Sequence, residues 1–72
     1  MRFDPIPVES SNIEHIGYDE DASVMRIWFQ RNAIYDYIGV AREDFETLLS
    51  AESVGKAFHS IIKPKYKFQK VS

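Results

Sequence analysis

Residues 23–30 read Ser-Val-Met-Arg-Ile-Trp-Phe-Gln, and this stretch decides the fold. The apolar residues Met25, Ile27 and Phe29 stand at every second position and alternate with a mixed set that includes Arg26. Successive side chains of a β-strand point to opposite sides of the sheet, so the alternation predicts a strand with one fully apolar face. Such a face needs a second layer of structure to cover it.

Two shorter strand patterns flank this segment. Residues 13–18 precede it across an acidic turn at residues 19–22, and residues 34–40 follow it. The connection at residues 30–33 contains Asn32, and asparagine tolerates the positive φ that a tight hairpin requires. Three strands joined by short turns predict an antiparallel meander.

The apolar spacing changes after the third strand and predicts two helices. Apolar residues at i, i+3 and i+4 favour a helix over residues 42–49. Ser53 is suited to cap a second helix that runs through Ile62, and Pro64 ends it because proline disfavours α geometry in the residue before it. The predicted fold class is α+β, a three-stranded antiparallel meander followed by two α-helices packed on one face (β-β-β-α-α). The apolar faces of these elements give the predicted core: Ile16, Met25, Ile27, Phe29, Phe45, Leu48, Leu49, Val54, Phe58, Ile61 and Ile62.

Length and composition agree with a small domain. The chain has 72 residues and no cysteine, which predicts one domain over residues 1–72 without disulfides or thiolate metal ligands. Pro5 and Pro7 predict an extended N-terminal arm over residues 1–12, and residues 63–72 are predicted to be a basic C-terminal tail. Within this tail, residues 65–68 return to a period of two and are either a short strand or a tail anchored by its aromatic residues. No apolar run reaches the length of a membrane span, and the N-terminus lacks the apolar stretch of a signal peptide. We therefore expect a cytoplasmic protein that does not contact a membrane.

Charge is unevenly distributed along the chain. Residues 1–52 contain all 11 acidic residues and four arginines, for a charge of −7. Residues 53–72 contain five lysines and no acidic residue, for a charge of +5, so the formal net charge is −2. The basic end favours an anionic ligand or an acidic partner, although the acidic body repels a long polyanion.

The sequence lacks the patterns of the common catalytic sites. His15 and His59 lie in different predicted elements, and neither belongs to a spacing typical of metal ligands. No serine stands in a nucleophile elbow, and three glycines do not form a phosphate-binding loop. We expect no enzymatic activity, no cofactor and no metal.

Aromatic and basic residues together indicate a binding function. Aromatic rings on a sheet stack with unpaired bases in several RNA-binding modules, while lysines contact the phosphates. The candidate nucleic-acid-binding residues are the rings of Trp28, Tyr35 and Tyr37 and the ammonium groups of Lys56, Lys63, Lys65 and Lys67. The strand register decides whether the two tyrosines share the face of Trp28 or the apolar face of Met25. On the apolar face the tyrosine rings would fill the core.

An ordered set of short motifs resembles the KTSC domain, a family named for its place at the C-terminus of some lysyl-tRNA synthetases. The motifs are Val-Glu-Ser-Ser-Asn-Ile at 8–13, Ile-Gly-Tyr-Asp at 16–19, Met-x-Ile-x-Phe at 25–29, Tyr-Asp-Tyr at 35–37, Leu-x-Ala-x-Ser-x-Gly at 49–55 and Phe-His-x-Ile at 58–61. The family also includes short stand-alone proteins of bacteria and phages. The resemblance implies no established activity, and its association with tRNA synthetases suggests RNA as a partner.

The sequence thus predicts a non-catalytic accessory module that binds RNA weakly. Two alternatives stay open at this point. One is a protein-interaction module, which forms a homo-oligomer or binds a host protein as a phage factor. The other is a pocket for a small nucleotide-like ligand between the Tyr-Asp-Tyr strand and the second helix.

Overall fold

A computed structural model describes residues 3–72 and shows an antiparallel sheet of five strands with helices on one face. The spatial order of the strands follows their order along the chain. The strands are β1 (Ile6–Pro7), β2 (Ile13–Asp19), β3 (Val24–Phe29), β4 (Ile34–Ile38) and β5 (Lys67–Lys70). The α+β class is confirmed, and the number of strands exceeds the three predicted.

The two additional strands lie at the edges of the sheet. β1 spans only two residues, since Pro7 lacks the N–H that a longer ladder would use. Of the arm expected over residues 1–12, residues 1 and 2 lie outside the described range. β5 returns to the sheet after the helices and pairs with β4, and Val71 N–H donates to the carbonyl of Ile34 at 2.8 Å. β5 and β4 are far apart in the sequence, and the apolar pattern of a four-residue segment is too short to predict their pairing.

The connection between β3 and β4 is a short 3-10 turn over Gln30–Asn32. Arg31 and Asn32 have φ values of 67° and 63°, in the left-handed region. The positive φ expected at Asn32 is thus observed, and Arg31 adopts it as well.

Two helical segments follow the fourth strand. α1 spans Arg42–Ser50, and α2 spans Val54–Ala57 and continues into a π-helical turn over Phe58–Ile62. Lys56 N–H donates to the Ser53 hydroxyl at 3.3 Å, which confirms the predicted cap. The π-helical turn is a departure from the uninterrupted helix predicted over this segment.

The core lies between the sheet and the helices. Eight of the eleven predicted core residues are buried, and Phe29, Leu49 and Ile61 pack against them while partly exposed. Four further hydrophobic residues are buried that were not predicted to lie in the core: Ile13, Val24, Tyr37 and Val40. Within residues 3–72, no helix is both long enough and apolar enough to cross a bilayer.

The register of β3 and β4 settles the orientation of the two tyrosines. Met25 pairs with Tyr37, and Ile27 pairs with Tyr35, so both tyrosines lie on the face that the helices cover. Trp28 pairs with Ile34 on the opposite face. The three rings therefore do not form the single stacking surface considered from the sequence.

Candidate functional site: an aromatic groove

A groove opens on the helix-covered side of the sheet, between strands β3 to β5 and the π-helical turn. Its volume is 420 Å³, within the range of small-molecule sites. We call it the aromatic groove. Its lining residues are Asn12, Phe29, Ala33, Tyr35, Tyr37, Phe58, His59, Lys63 and Phe68.

Five aromatic rings form the walls of the aromatic groove. On the β5 side, Phe68 lies 5.3 Å from the Tyr35 ring and 5.7 Å from the Tyr37 ring. On the helix side, Phe58 contacts Tyr37 and Phe29 edge to face, at 5.3 and 5.5 Å. Phe68 is 58% exposed, so its ring is accessible to a ligand, whereas Phe58 is buried and holds the wall in place.

Three polar residues border these rings. His59 lies in the π-helical turn and Lys63 directly follows it, and both residues are exposed. Asn12 precedes β2, where its carbonyl accepts a hydrogen bond from Gln30 N–H at 2.8 Å. None of the groove-lining residues in the described part of the chain is acidic. The groove therefore favours an anionic ligand over a cationic one.

Tyr37 is the most buried of the polar residues that line the aromatic groove, at 4% exposed. Its hydroxyl keeps contact with solvent, because no buried side-chain nitrogen or oxygen in residues 3–72 lacks a hydrogen-bond partner. Burial raises the pKa of Tyr37, and the neighbouring Tyr35 raises it further, because two phenolates would repel each other. The hydroxyl is thus protonated at neutral pH and available to donate a hydrogen bond.

The structure separates the predicted site residues into two groups. Tyr35, Tyr37 and Lys63 meet in the aromatic groove. Trp28 lies on the other face of the sheet, and Lys67 pairs with Ile38 there. Lys56 is exposed on α2, and Lys65 forms an ion pair with Asp44. Only part of the predicted set therefore shares one surface.

Trp28 belongs instead to a cluster on the outer face of the sheet. Phe3 and His15 approach its ring edge to face, with centroids at 6.5 and 6.3 Å. The Arg26 guanidinium lies 4.3 Å from the centre of the Phe3 ring, and it also pairs with Asp36. The N-terminal arm thus covers part of the sheet face opposite the helices.

Contacts between α1 and the start of the tail fix the approach to β5. The Tyr66 hydroxyl donates to the Asp44 carboxylate, and Lys65 Nζ lies 2.9 Å from the same carboxylate. Ala41 N–H donates to the Tyr66 hydroxyl at 3.1 Å. The hydrogen bond from Tyr66, followed by that from Lys65, holds the pKa of Asp44 below its usual value.

Several groove residues were not assigned to a site from the sequence. Phe29 and Phe58 were predicted to lie in the core, and Phe68 lies in the predicted C-terminal tail. Asn12 lies in the predicted N-terminal arm, and His59 was not assigned to a site. The aromatic groove lies between the Tyr-Asp-Tyr strand and the second helix, where a pocket for a small nucleotide-like ligand was the second alternative, and that ligand stays a prediction. The described residues contain no cluster of His, Asp or Glu side chains that could bind a metal ion.

Comparison with known proteins places the chain in one family. The model of the KTSC domain matches residues 9–66. A protein of Tsukamurella paurometabola is 43% identical over 61 residues, which cover 85% of this chain and 91% of that protein. A lysine–tRNA ligase of Nostoc punctiforme is 31% identical over 72 residues, which are 100% of this chain and 13% of the ligase.

A solved structure agrees with this assignment. The crystal structure of a KTSC domain protein from Yersinia pestis matches with a TM-score of 0.93 and 35% identity, over 99% of this chain and 100% of the other. The resemblance noted in the sequence motifs is thus confirmed. The chain belongs to the KTSC domain family.

Proposed function

We propose that the chain is a non-catalytic binding module that takes up an unpaired nucleotide of RNA in the aromatic groove. One observation carries the proposal: five aromatic rings and a lysine surround a 420 Å³ groove that no acidic side chain lines, among the residues described. An unpaired base supplies a flat apolar ring, and its phosphate supplies the negative charge.

The accessible rings are suited to stacking. Phe68 is exposed on β5, and Tyr35 beside it is half-buried. A base stacked on an aromatic side chain contributes about 1–3 kcal/mol to binding. A base in a duplex is already stacked on its neighbours and must leave the helix to stack on these rings, so the proposal predicts single-stranded rather than duplex RNA.

Lysines at the rim supply the attraction for phosphate. Lys63 lines the groove directly, and Lys70 pairs with Tyr35 on the same face of the sheet. The acidic body of residues 1–52 opposes a long nucleic acid, so the expected affinity is low. The similarity to a lysine–tRNA ligase supports RNA as the partner, because the name of that enzyme includes an RNA substrate.

The test is fluorescence anisotropy with a labelled single-stranded RNA of about ten nucleotides at low salt. We expect binding that weakens as salt is added, and a clearly weaker response with a hairpin duplex. Phe68→Ala should lower the affinity, whereas Trp28→Ala, on the opposite face, should not. Lys63→Glu and Lys67→Glu change the charge by the same amount, but Lys63 lines the groove and Lys67 lies on the outer face of the sheet. Only Lys63→Glu should therefore reduce binding. Absence of binding at high micromolar protein would exclude the proposal.

A further inference from the structure

We infer that the outer edge of β5 binds an extended acidic peptide, which joins the five-stranded sheet as a further antiparallel strand. The inference goes beyond the proposed function, because it concerns the backbone edge of the sheet and does not depend on RNA binding. It follows from a difference between the two edges of the sheet, β1 on one side and β5 on the other.

The edge at β1 is protected by proline. Val8 N–H donates to the carbonyl of Glu14 at 3.1 Å, so the backbone of Val8 faces β2. Residues of an antiparallel strand face their neighbour and the open side in alternation, so the backbone of Pro7 faces outward. Pro7 lacks the N–H that a further strand would use, and so does Pro5 before the strand. Proline on an edge strand prevents pairing with other chains.

The edge at β5 is open to pairing. Val71 N–H donates to the carbonyl of Ile34, so the backbone of Gln69, two residues earlier, faces β4 as well. The backbone groups of Phe68 and Lys70 therefore face away from β4. Within residues 3–72, no other strand lies on that side of β5. β5 contains no proline, so a peptide finds both N–H donors and carbonyl acceptors along this edge.

The side chains of β5 give this edge a positive charge. Lys67 and Lys70 are exposed, and neither forms an ion pair with an acidic side chain of the described chain. Two copies of β5 would bring these lysines together, and lysines on an edge strand disfavour such self-association. An acidic segment is attracted by the same lysines, so the charges favour it over a second copy of this chain.

The two sides of β5 also specify the order of side chains in the peptide. Phe68 and Lys70 lie on the groove side of the sheet, and Lys67 lies on the outer side. Residues that are opposite each other on neighbouring strands share a side. The peptide therefore needs an acidic residue opposite Lys70, a β-branched apolar residue opposite the exposed Phe68 ring, and an acidic residue opposite Lys67. In an antiparallel strand this order is acidic, any residue, apolar, acidic.

The probe is a fluorescent peptide with blocked ends and the sequence Thr-Glu-Thr-Val-Glu-Thr, titrated with the protein at low salt. N-methylation of its valine removes the N–H that would donate to the Phe68 carbonyl, and it should weaken binding about tenfold. N-methylation of the threonine before the valine is the matched control. That N–H would point away from β5, so the affinity should stay within about twofold of the unmodified peptide.

Variants of two lysines separate the edge of β5 from other basic surfaces. Lys67→Glu should weaken peptide binding about threefold or more and leave RNA binding unchanged, because Lys67 does not line the aromatic groove. Lys56→Glu makes the same change in charge on α2, away from the edge, and should affect peptide binding little.

Three results would contradict the inference. Equal effects of the two N-methyl groups would mean that charge alone, without strand pairing, attracts the peptide. Absence of peptide binding at high micromolar protein would exclude the inference and leave the proposed RNA binding unaffected. A stable dimer in sedimentation, dissociated by the peptide, would make a second copy of the chain the natural occupant of the edge.

Discussion

Arg26 on β3 and Asp36 on β4 form a two-point ion pair across the outer face of the sheet. Nε and Nη2 of Arg26 lie 2.7 and 3.0 Å from the two carboxylate oxygens of Asp36. Asp36 is 7% exposed, and it is the middle residue of the Tyr-Asp-Tyr motif. The motif thus points its tyrosines to one side of the sheet and its carboxylate to the other.

Replacement of Asp36 should destabilise the fold. Asp36→Ala removes two charge-assisted hydrogen bonds and leaves the partly buried Arg26 unpaired, so we expect a loss of about 1–3 kcal/mol in the free energy of unfolding. Urea unfolding measures it. Asp21→Ala, in the exposed turn before β3, is the control and should change stability by less than about 0.5 kcal/mol. An equal effect of the two variants would contradict the importance of the pair.

Gly17 on β2 should not tolerate a side chain. A Cβ atom there would lie 3.1 Å from Cβ of Phe3 and 3.1 Å from Cζ3 of Trp28. We expect Gly17→Ala to destabilise the protein by about 1–3 kcal/mol through overpacking. Trp28 is the only tryptophan, so its fluorescence reports the displacement of the ring. Phe3→Gly in the same chain removes the Phe3 Cβ atom and should recover part of the loss, and a purely additive double variant would contradict this explanation.

Acid should weaken the attachment of the tail to α1. The folded state holds the pKa of Asp44 below its value in the unfolded chain, mainly through the Tyr66 hydroxyl and then through Lys65. The carboxylate therefore stabilises the fold above pH of about 4, and this stabilisation is lost as pH falls through the lower folded value. Asp44→Asn should be less stable than the unmodified protein at pH 7, and the difference should shrink at pH 3. A difference that stays constant with pH would contradict this role.

Substitutions of two apolar residues that differ in burial should have different effects on stability and on RNA binding. Leu48 is fully buried, and Leu48→Ala should cost about 2–5 kcal/mol by leaving a cavity. Phe29 is partly exposed in the aromatic groove, so Phe29→Ala should cost less stability and also reduce RNA binding. Thermal unfolding and RNA titration of both variants provide the measurement. Unchanged RNA affinity in a folded Phe29→Ala protein would count against the groove as the binding site.

Local patterns were sufficient for most of the fold. The period-two alternation around Ile27 and the helical spacing around Leu48 each reflect contacts of one element with one core, and both elements were predicted correctly. Edge strands were harder to predict. β5 depends on pairing with β4, about thirty residues earlier, and its four residues are all exposed, so no apolar face marks it.

The site was only partly predictable for a related reason. Tyr35 and Tyr37 were identified as a motif, but their side of the sheet depends on the register with Met25 and Ile27, which hydrophobic alternation in β4 alone does not determine. Asn12 and Phe68 reach the groove from opposite ends of the chain. Their proximity follows from the complete sheet and has no counterpart in local spacing.

The π-helical turn over Phe58–Ile62 also acts as a spacer. It holds one residue more than an ordinary helical turn would between α2 and the strand that closes the groove. A one-residue deletion that was passed on to β5 would shift that strand by one position against β4, which would turn Phe68 from the groove to the outer side of the sheet. The length of this segment, as much as its composition, therefore determines whether Phe68 lines the aromatic groove.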